Sequence, residues 1–374
     1  MTATMHEAGA AAAPDLGSGP LRGIRVLEFA GLGPAPFAAM MLADMGADVV
    51  RLERPGAKRR AKDILLRGRR SFELDLKQAD DAACARGLAL RADVLIEGFR
   101  PGVMERLGLG PQPLLDAHPA LVYARMTGWG QTGPLARQGG HDINYIALAG
   151  ALGAIGPAGQ PPAVPLNLIG DYGGGSLFLV VGILAAILES RRSGAGQVVD
   201  CAICDNVLSM MSLFHSMAAS GTWRAERGAN QLDGGSHFYS SYECQDGRYI
   251  AVGAGEPQFY DALRRVAGFS DPLFDRQRDP AAWPELRARA AAVFRTRTRD
   301  EWVAAFDGVD ACVTPVLAMD ESLAHPHFND RQRVAEIDGV RQAVPAPAFS
   351  RTRSTIRPGS VFPSREALAS CWST

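Results

Sequence analysis

The sequence holds little cysteine, 6 residues in 374. Cys84, Cys201, Cys204, Cys244, Cys312 and Cys371 are too sparse for a disulfide framework. Cys201 and Cys204 form a C-x-x-C, but no second such pair and no nearby pair of histidines completes a zinc site. No metal is therefore expected, and the two thiols are expected to act as small apolar groups on a buried helix. An excess of either charge is also missing. Lys plus Arg number 39 and Asp plus Glu 40, a net charge of -1 that argues against a nucleic-acid partner. The longest apolar run, Leu177 to Leu188, falls short of the ~20 residues that a bilayer span needs, so no membrane partner is expected. The first basic residue is Arg22, so no positive region precedes an apolar run, and the last residues lack a Ser-Lys-Leu address. A cytoplasmic protein is the expectation.

What is present describes an ordinary globular chain, 47% apolar and 21% charged. Its length suggests two or three domains at ~150 residues each. Residues 1–18 are rich in Ala and Gly and read as a disordered tail. After them the pattern is β-α-β: a strand over Ile24 to Ala30, a turn at Gly31 to Pro34, a helix over Phe37 to Met45 closed by Gly46, and a strand over Ala47 to Glu53. Helices over Gln78 to Arg91 and Pro111 to His118 alternate with strands over Val94 to Glu97 and Leu121 to Met126. The fold class is α/β, a large Rossmann-like domain with a parallel sheet. From about Phe238 the pattern changes to a β-hairpin, Phe238 to Glu243 with Arg248 to Ala254, followed by helices over Gln258 to Ala267, Ala282 to Phe294 and Asp300 to Phe306. This is a smaller α+β domain. The Pro-rich stretch Val344 to Arg357 is expected to run back over the first domain.

Five features carry chemistry. Gly31-x-Gly33 follows a strand, and Glu53 ends the next one where a ribose-binding acid would sit. The third glycine of a dinucleotide loop is Pro36, which has no N–H to offer a phosphate, so a nicotinamide cofactor is not expected. The segment Lys58 to Arg70 carries Lys58, Arg59, Arg60, Lys62, Arg67, Arg69 and Arg70 against the one acid Asp63. It reads either as a solvated face or as a seat for a small polyanion such as coenzyme A. In Gly139-Gly140-His141-Asp142-Ile143-Asn144-Tyr145, the spacing of Tyr145, Leu148, Ala149 and Leu152 starts a helix near Asp142. His141 then sits at a helix N-terminus, where free N–H groups suit an oxyanion and the neutral imidazole is favoured as a base. Asp171 lies among apolar residues beside Gly173-Gly174-Gly175, as a turn residue or as a partly desolvated base or nucleophile. Glu256 precedes Pro257, which fits the first position of a helix, so Glu256 caps that helix and could orient a histidine.

Together these segments resemble the family III CoA-transferase superfamily and, within it, the α-methylacyl-CoA racemase family. The resemblance runs from Gly19 to about Ser354 and includes GPLRGIRVLEFAGLGPAP, LADMGADVVRLERPG, ADVLIEGFRPGVMERLGLGP, YARMTGWGQTGP, PLNLIGDYGGGS, GQVVDCAICD and ACVTPVL. GHDINY and the EPQFY segment are the parts specific to the racemases. The resemblance implies inversion of the carbon beside the thioester carbonyl of 2-methylacyl-CoAs. His141, paired with Glu256, would serve one face of that carbon and Asp171 the other. The backbone N–H of Asp142 would stabilise the enolate oxygen. No cofactor is implied, since coenzyme A is part of the substrate. Its contacts would come from Arg54, from Leu74, Asp75, Leu76 and Lys77, from Phe99, Arg100 and Pro101, from Arg106, and from Gly140, Ile143, Asn144 and Tyr145.

The resemblance further implies an interlocked homodimer with the active site at the subunit interface. It gives a large CoA-binding domain over residues 19–205 and 335–374, a small domain over 225–320, and linkers over 206–224 and 321–334. Ser236 and His237 depart from the family pattern just before the hairpin, so the resemblance does not fix a chain-length preference. A CoA-transferase using Asp171 as nucleophile is the main alternative. A non-catalytic acyl-CoA-binding protein, which would need no paired bases, is the reading from another class.

Overall fold

The computed structural model describes residues 18–58, 60 and 62–372, so the expected N-terminal tail lies outside them apart from Ser18. Backbone contacts divide the chain into two compact units, one of residues up to 125 with 179–199 and 336–374, the other of 126–178 and 200–335. The cuts fall at places other than the expected boundaries, with 126–178 clustering alongside 200–335.

A six-stranded sheet consists of β1 (Arg25–Phe29), β2 (Asp48–Glu53), β3 (Arg69–Glu73), β4 (Val94–Glu97), β5 (Val122–Thr127) and β6 (Val198–Ala202), of which β1 to β4 lie wholly in the first unit. Its order is β3-β2-β1-β4-β5-β6, and β1 with β2, β2 with β3, β1 with β4 and β4 with β5 pair in parallel. Val26, Leu27, Val49, Val50, Leu95 and Ile96 are buried on both faces, which is why these strands read as continuous apolar runs. The first helix, Pro34–Asp44, begins three residues before the expected Phe37. Pro34 and Pro36 sit in its first turn, where a missing N–H costs nothing. Gly46 follows at φ 99°, the left-handed closure that the sequence suggested.

β3 was not expected, because its first two residues, Arg69 and Arg70, read as part of the basic segment. The chain's C-terminal part lies along this edge strand. Ser71 N–H donates to Val361 C=O, Val361 N–H to Arg69 C=O, and the Arg357 guanidinium to Ala43 and Ala47 C=O. The expected return of the tail over the first unit is thus present.

In the second unit lie the helix Asp142–Leu148, a π-helical stretch Leu168–Leu177, the helices Ile203–Met210 and Ser212–Ala219, and a three-stranded sheet. The sheet joins β7 (Tyr239–Glu243), β8 (Tyr249–Gly253) and β9 (Val313–Val316), all antiparallel. The expected hairpin is β7–β8, and the three expected helices appear as Pro257–Ala267, Trp283–Phe294 and Arg299–Ala305. Their buried residues Tyr260, Leu263, Leu286, Phe294 and Trp302 form one core with Phe238, Tyr242, Ile250 and Val252.

One expectation is corrected in length. The apolar run at Leu177 is part of a continuous helix, Leu168–Ser193, whose 26 residues suffice by length and composition to cross a bilayer. Its buried face of Leu179, Val180, Ile183, Ala186 and Ile187, and the carboxylate of Asp171 near its start, are features of a core helix in a folded domain.

Candidate active site

His141 is the N-cap of the helix Asp142–Leu148, with extended backbone and an exposed side chain. The start of that helix is closed by Asn144, whose Oδ1 accepts the N–H of His141 at 3.0 Å, while the Asn144 N–H donates to the His141 C=O at 2.8 Å. The N–H groups of Asp142 and Ile143 begin the helix without an intrahelical acceptor. Tyr145 is buried, and its hydroxyl donates to the Gly140 C=O at 2.5 Å. A Cβ on Gly128 or Gly140 would fall 2.1 or 2.7 Å from the Tyr145 ring, so both glycines are needed for this packing. Burial raises the Tyr145 phenol above its usual range. Ile143 and Asn144 stand exposed beside His141.

The side chain of Asp142 turns inward. It is 6% exposed, and its Oδ2 accepts the backbone N–H of Asp171 at 2.7 Å. Gly170 makes the approach possible, since a Cβ there would lie 2.4 Å from that same oxygen. The sequence reading gave Asp142 a backbone role only. The side-chain contact spans 29 residues of chain, and no local pattern signals it.

Asp171 occupies the first turn of the π-helical stretch and is half-buried. Such wide turns recur at functional sites. Burial pushes its carboxyl upward. The Asn167 amide, donating to Oδ2 at 3.2 Å, acts against this; the charge of Asp142 adds to the rise, and that of His141 opposes it. Asn167 is a residue that the sequence reading missed. It lies four positions before Asp171 in the segment PLNLIGD, a spacing that would have suggested contact. His141, Asp142 and Asp171 are thus brought together.

Glu256 is the exposed N-cap of Pro257–Ala267, with Pro257 at the first position. Among the described residues, no hydrogen bond or ion pair joins it to His141 within the chain.

The thiols carry no chemistry, as expected, but they do not share a buried helix: Cys201 lies in β6 and Cys204 on the helix Ile203–Met210. Cys201 is buried beside Gly175 and Asn206, and Cys204 is half-buried beside Asp205. Burial pushes both up to about 12, which leaves them unreactive at neutral pH.

The residues implied for coenzyme A in the first unit follow the carboxyl ends of β2, β3 and β4. In open α/β sheets, ligands bind at that edge, near the point where the strand order reverses, here between β1 and β4. Arg54, Lys77, Arg100 and Arg106 are exposed, and Asp75, Leu76, Phe99 and Pro101 are half-buried. Leu74 is 2% exposed inside the core, so only its backbone is available to a ligand. Two further residues shape the loop after β4. Glu97, fully buried, accepts the Phe99 N–H at 2.7 Å and the Arg125 Nε–H at 2.9 Å, and Arg125 donates to Glu105 at 2.9 Å.

The basic segment is less of a polyanion seat than its composition suggested. Arg67 pairs with Asp44 at 2.5 Å, Arg69 with Glu28 at 3.0 Å and Arg70 with Asp48 at 2.7 Å. Three of the seven cations are therefore neutralised inside the first unit. Arg60 and Lys62 line a separate cavity of about 270 Å³ with Arg357, Asp338, Ser360 and Phe362.

Ser236 and His237, which depart from the family pattern, lie in the interior. Both are fully buried in the second unit, and His237 Nε2 lies 2.6 Å from the Tyr260 hydroxyl.

A model of the family described as CoA-transferase family III matches residues 21–361. Over 333 residues the chain is 46% identical to a mouse protein named α-methylacyl-CoA racemase, a match covering 89% of this chain and 87% of that one. The human protein of the same name is 45% identical over 337 residues, with the same coverage. Among solved structures, a CAIB/BAIF family protein from Brucella suis superimposes with a TM-score of 0.82 at 24% identity, covering 95% of this chain and all of that one, a likeness of fold.

Proposed function

The chain belongs to CoA-transferase family III, and from that premise we propose that it interconverts the (R) and (S) forms of 2-methylacyl-CoA thioesters. The observation that carries the reading is the meeting of two proton carriers, His141 and Asp171, at the starts of two helices joined by the Asp142 carboxylate. The 46% and 45% identities to two proteins named as racemases support it.

In this reading one base removes the α-proton, and the electron pair of the broken C–H bond passes into an enolate. Charge gathers on the thioester oxygen, and the Asp142 N–H at the helix start donates to it. The other base, already protonated, delivers its proton to the opposite face of the same carbon. The two bases exchange protonation states, so the next turnover runs from the other enantiomer. An Asp171 carboxyl held above the ordinary range by burial suits a group that must carry a proton in one direction and accept one in the other. The phosphates of coenzyme A are assigned to the exposed cations Arg54, Lys77, Arg100 and Arg106.

The working form is an interlocked homodimer in which Glu256 of one protomer orients His141 of the other. Two observations support this. Glu256 has no hydrogen bond or ion pair to His141 within the described chain. Leu177, Val181 and Leu188 form an exposed apolar row along the long helix, which a second copy could cover.

The test is exchange of the α-proton of a 2-methylacyl-CoA in deuterated water, with no acceptor acid present. Deuterium should enter at the α-carbon as configuration is lost, and His141→Ala or Asp171→Ala should slow both steeply. A substrate that keeps its proton and configuration overturns the reading. Passage of CoA to an added carboxylic acid would instead indicate the transferase chemistry with Asp171 as nucleophile.

A further inference from the structure

The turn that carries Glu256 is held by two residues about twenty positions downstream. Gln277 is 8% exposed, and its amide Nε2 donates to the C=O of Ala254 at 3.2 Å and of Gly255 at 3.1 Å. The Arg278 guanidinium donates to the same Gly255 C=O at 2.5 Å and to Gln231 Oε1 at 3.3 Å. Its carbon lies 5.4 Å from the centre of the Phe238 ring. Gln277 is itself fixed, because Trp283 Nε1–H donates to its C=O at 2.8 Å. On the other side, the Gly253 N–H donates to Cys312 C=O at 2.8 Å.

The Gly255 carbonyl belongs to the peptide plane that ends at the Glu256 nitrogen. Rotating that plane changes φ of Glu256 and swings its Cα–Cβ bond. A carbonyl held by an amide and a guanidinium cannot rotate without losing both hydrogen bonds, one of them to a charged donor. The N-cap geometry of Glu256, φ -80° and ψ 150°, is therefore set from two sides: by this clamp before it and by Pro257 after it. Capping alone would need only Pro257 and the helix. The paired donors on the preceding carbonyl are an additional constraint on where the carboxylate points.

We propose that Gln277 and Arg278 are positioning residues for the reaction, acting on proton transfer through Glu256. The inference rests on the role proposed for Glu256 above. It predicts coupling between the clamp and that carboxylate.

The experiment is a double-mutant cycle on the full chain, with α-proton exchange as the readout. Gln277→Met removes the amide donor at similar volume. Arg278→Met tests the same clamp at an exposed side chain whose loss leaves the core intact. Each variant should lower kcat about ten-fold with KM nearly unchanged, the penalty of a small misplacement. In a Glu256→Gln background, the same substitutions should cost less than about two-fold more. Arg278→Lys, which keeps a charged donor, should recover most of the loss. Wild-type kcat in both variants overturns the inference, as does an equal loss with and without Glu256, the mark of a general structural effect. Full activity of Glu256→Gln alone would instead remove Glu256 from the mechanism and the clamp with it, so the two failures are distinguishable.

Discussion

The Asp142 carboxylate accepts the backbone N–H of Asp171 at 2.7 Å, so one acid of the site is seated by the other. The contact fixes where Asp171 stands, and it puts a second negative charge close to a carboxyl already half-removed from water. Asp142 Oδ1 is buried and has no hydrogen-bond partner among the described residues. The Asn167 amide works in the other direction by donating to the Asp171 anion.

These opposing influences predict opposite movements in a pH profile. Asp171 serves as a base only when ionised, so the acid limb of kcat/KM for α-proton exchange should report its titration. Asn167→Leu removes a donor to the anion, raises the Asp171 pKa further and moves the limb to higher pH. Below the limb, exchange should fall several-fold while the plateau changes little. Asp142→Asn removes the neighbouring charge, lowers the pKa and moves the limb to lower pH. A limb that stays put in both variants would show that Asp171 is not the group being titrated.

The sheet was legible in the sequence where its strands are apolar. β1, β2 and β4 bury both faces, and their runs of Val, Leu and Ile stand out. β3 was hidden because Arg69 and Arg70 open it, and an arginine is buried only when a partner elsewhere neutralises it. Glu28 on β1 and Asp48 at the start of β2 supply those partners, a tertiary relation with no local trace. The site divides in the same way. His141 at a helix start and Glu256 before Pro257 could be placed from neighbouring residues. The inward turn of Asp142, the wide helical turn at Asp171 and the clamp on Gly255 depend on residues far along the chain. The burial of Ser236 and His237 is likewise tertiary, since Tyr260, over twenty residues downstream, meets the histidine inside the second unit.

That buried histidine carries a prediction about acid stability. Burial lowers His237 to about 4 from an ordinary 6.5, and its Nδ1 has no hydrogen-bond partner among the described residues. The unfolded chain therefore binds a proton that the folded chain refuses. The stability contributed is fully present above pH 6.5 and is lost as pH falls through the folded value near 4. The full difference is about 3 kcal/mol, at ~1.4 kcal/mol per pKa unit. Urea unfolding at pH 7 and pH 4.5 should show His237→Gln losing less stability on acidification than the wild type. The preference among acyl chain lengths should be the same in both proteins. A changed preference would return His237 to the substrate pocket, and an equal loss on acidification would assign the acid sensitivity to other groups.

The ion pair of Arg69 with Glu28 separates a structural role for the basic segment from a ligand-binding one. Both side chains are fully buried, and Arg69 also donates to the carbonyls of Pro36 and Leu65. Burial lowers the Arg69 pKa, and Glu28 is the first influence opposing it. Arg69→Met leaves the Glu28 carboxylate in the core with Arg51, at 3.5 Å, as its remaining ion-pair partner among the described residues. The cost should be about 3–5 kcal/mol in urea unfolding, the range for breaking one half of a buried pair. Adding Glu28→Gln should recover a large part of it, because the uncompensated charge is then gone. Arg60→Met, at an exposed position, should change stability by less than about 0.5 kcal/mol. In the folded fraction of Arg69→Met, KM for the acyl-CoA should be unchanged, since this guanidinium is committed inside the sheet. A large rise in KM with little loss of stability would reverse the assignment and make Arg69 a contact for the anionic substrate.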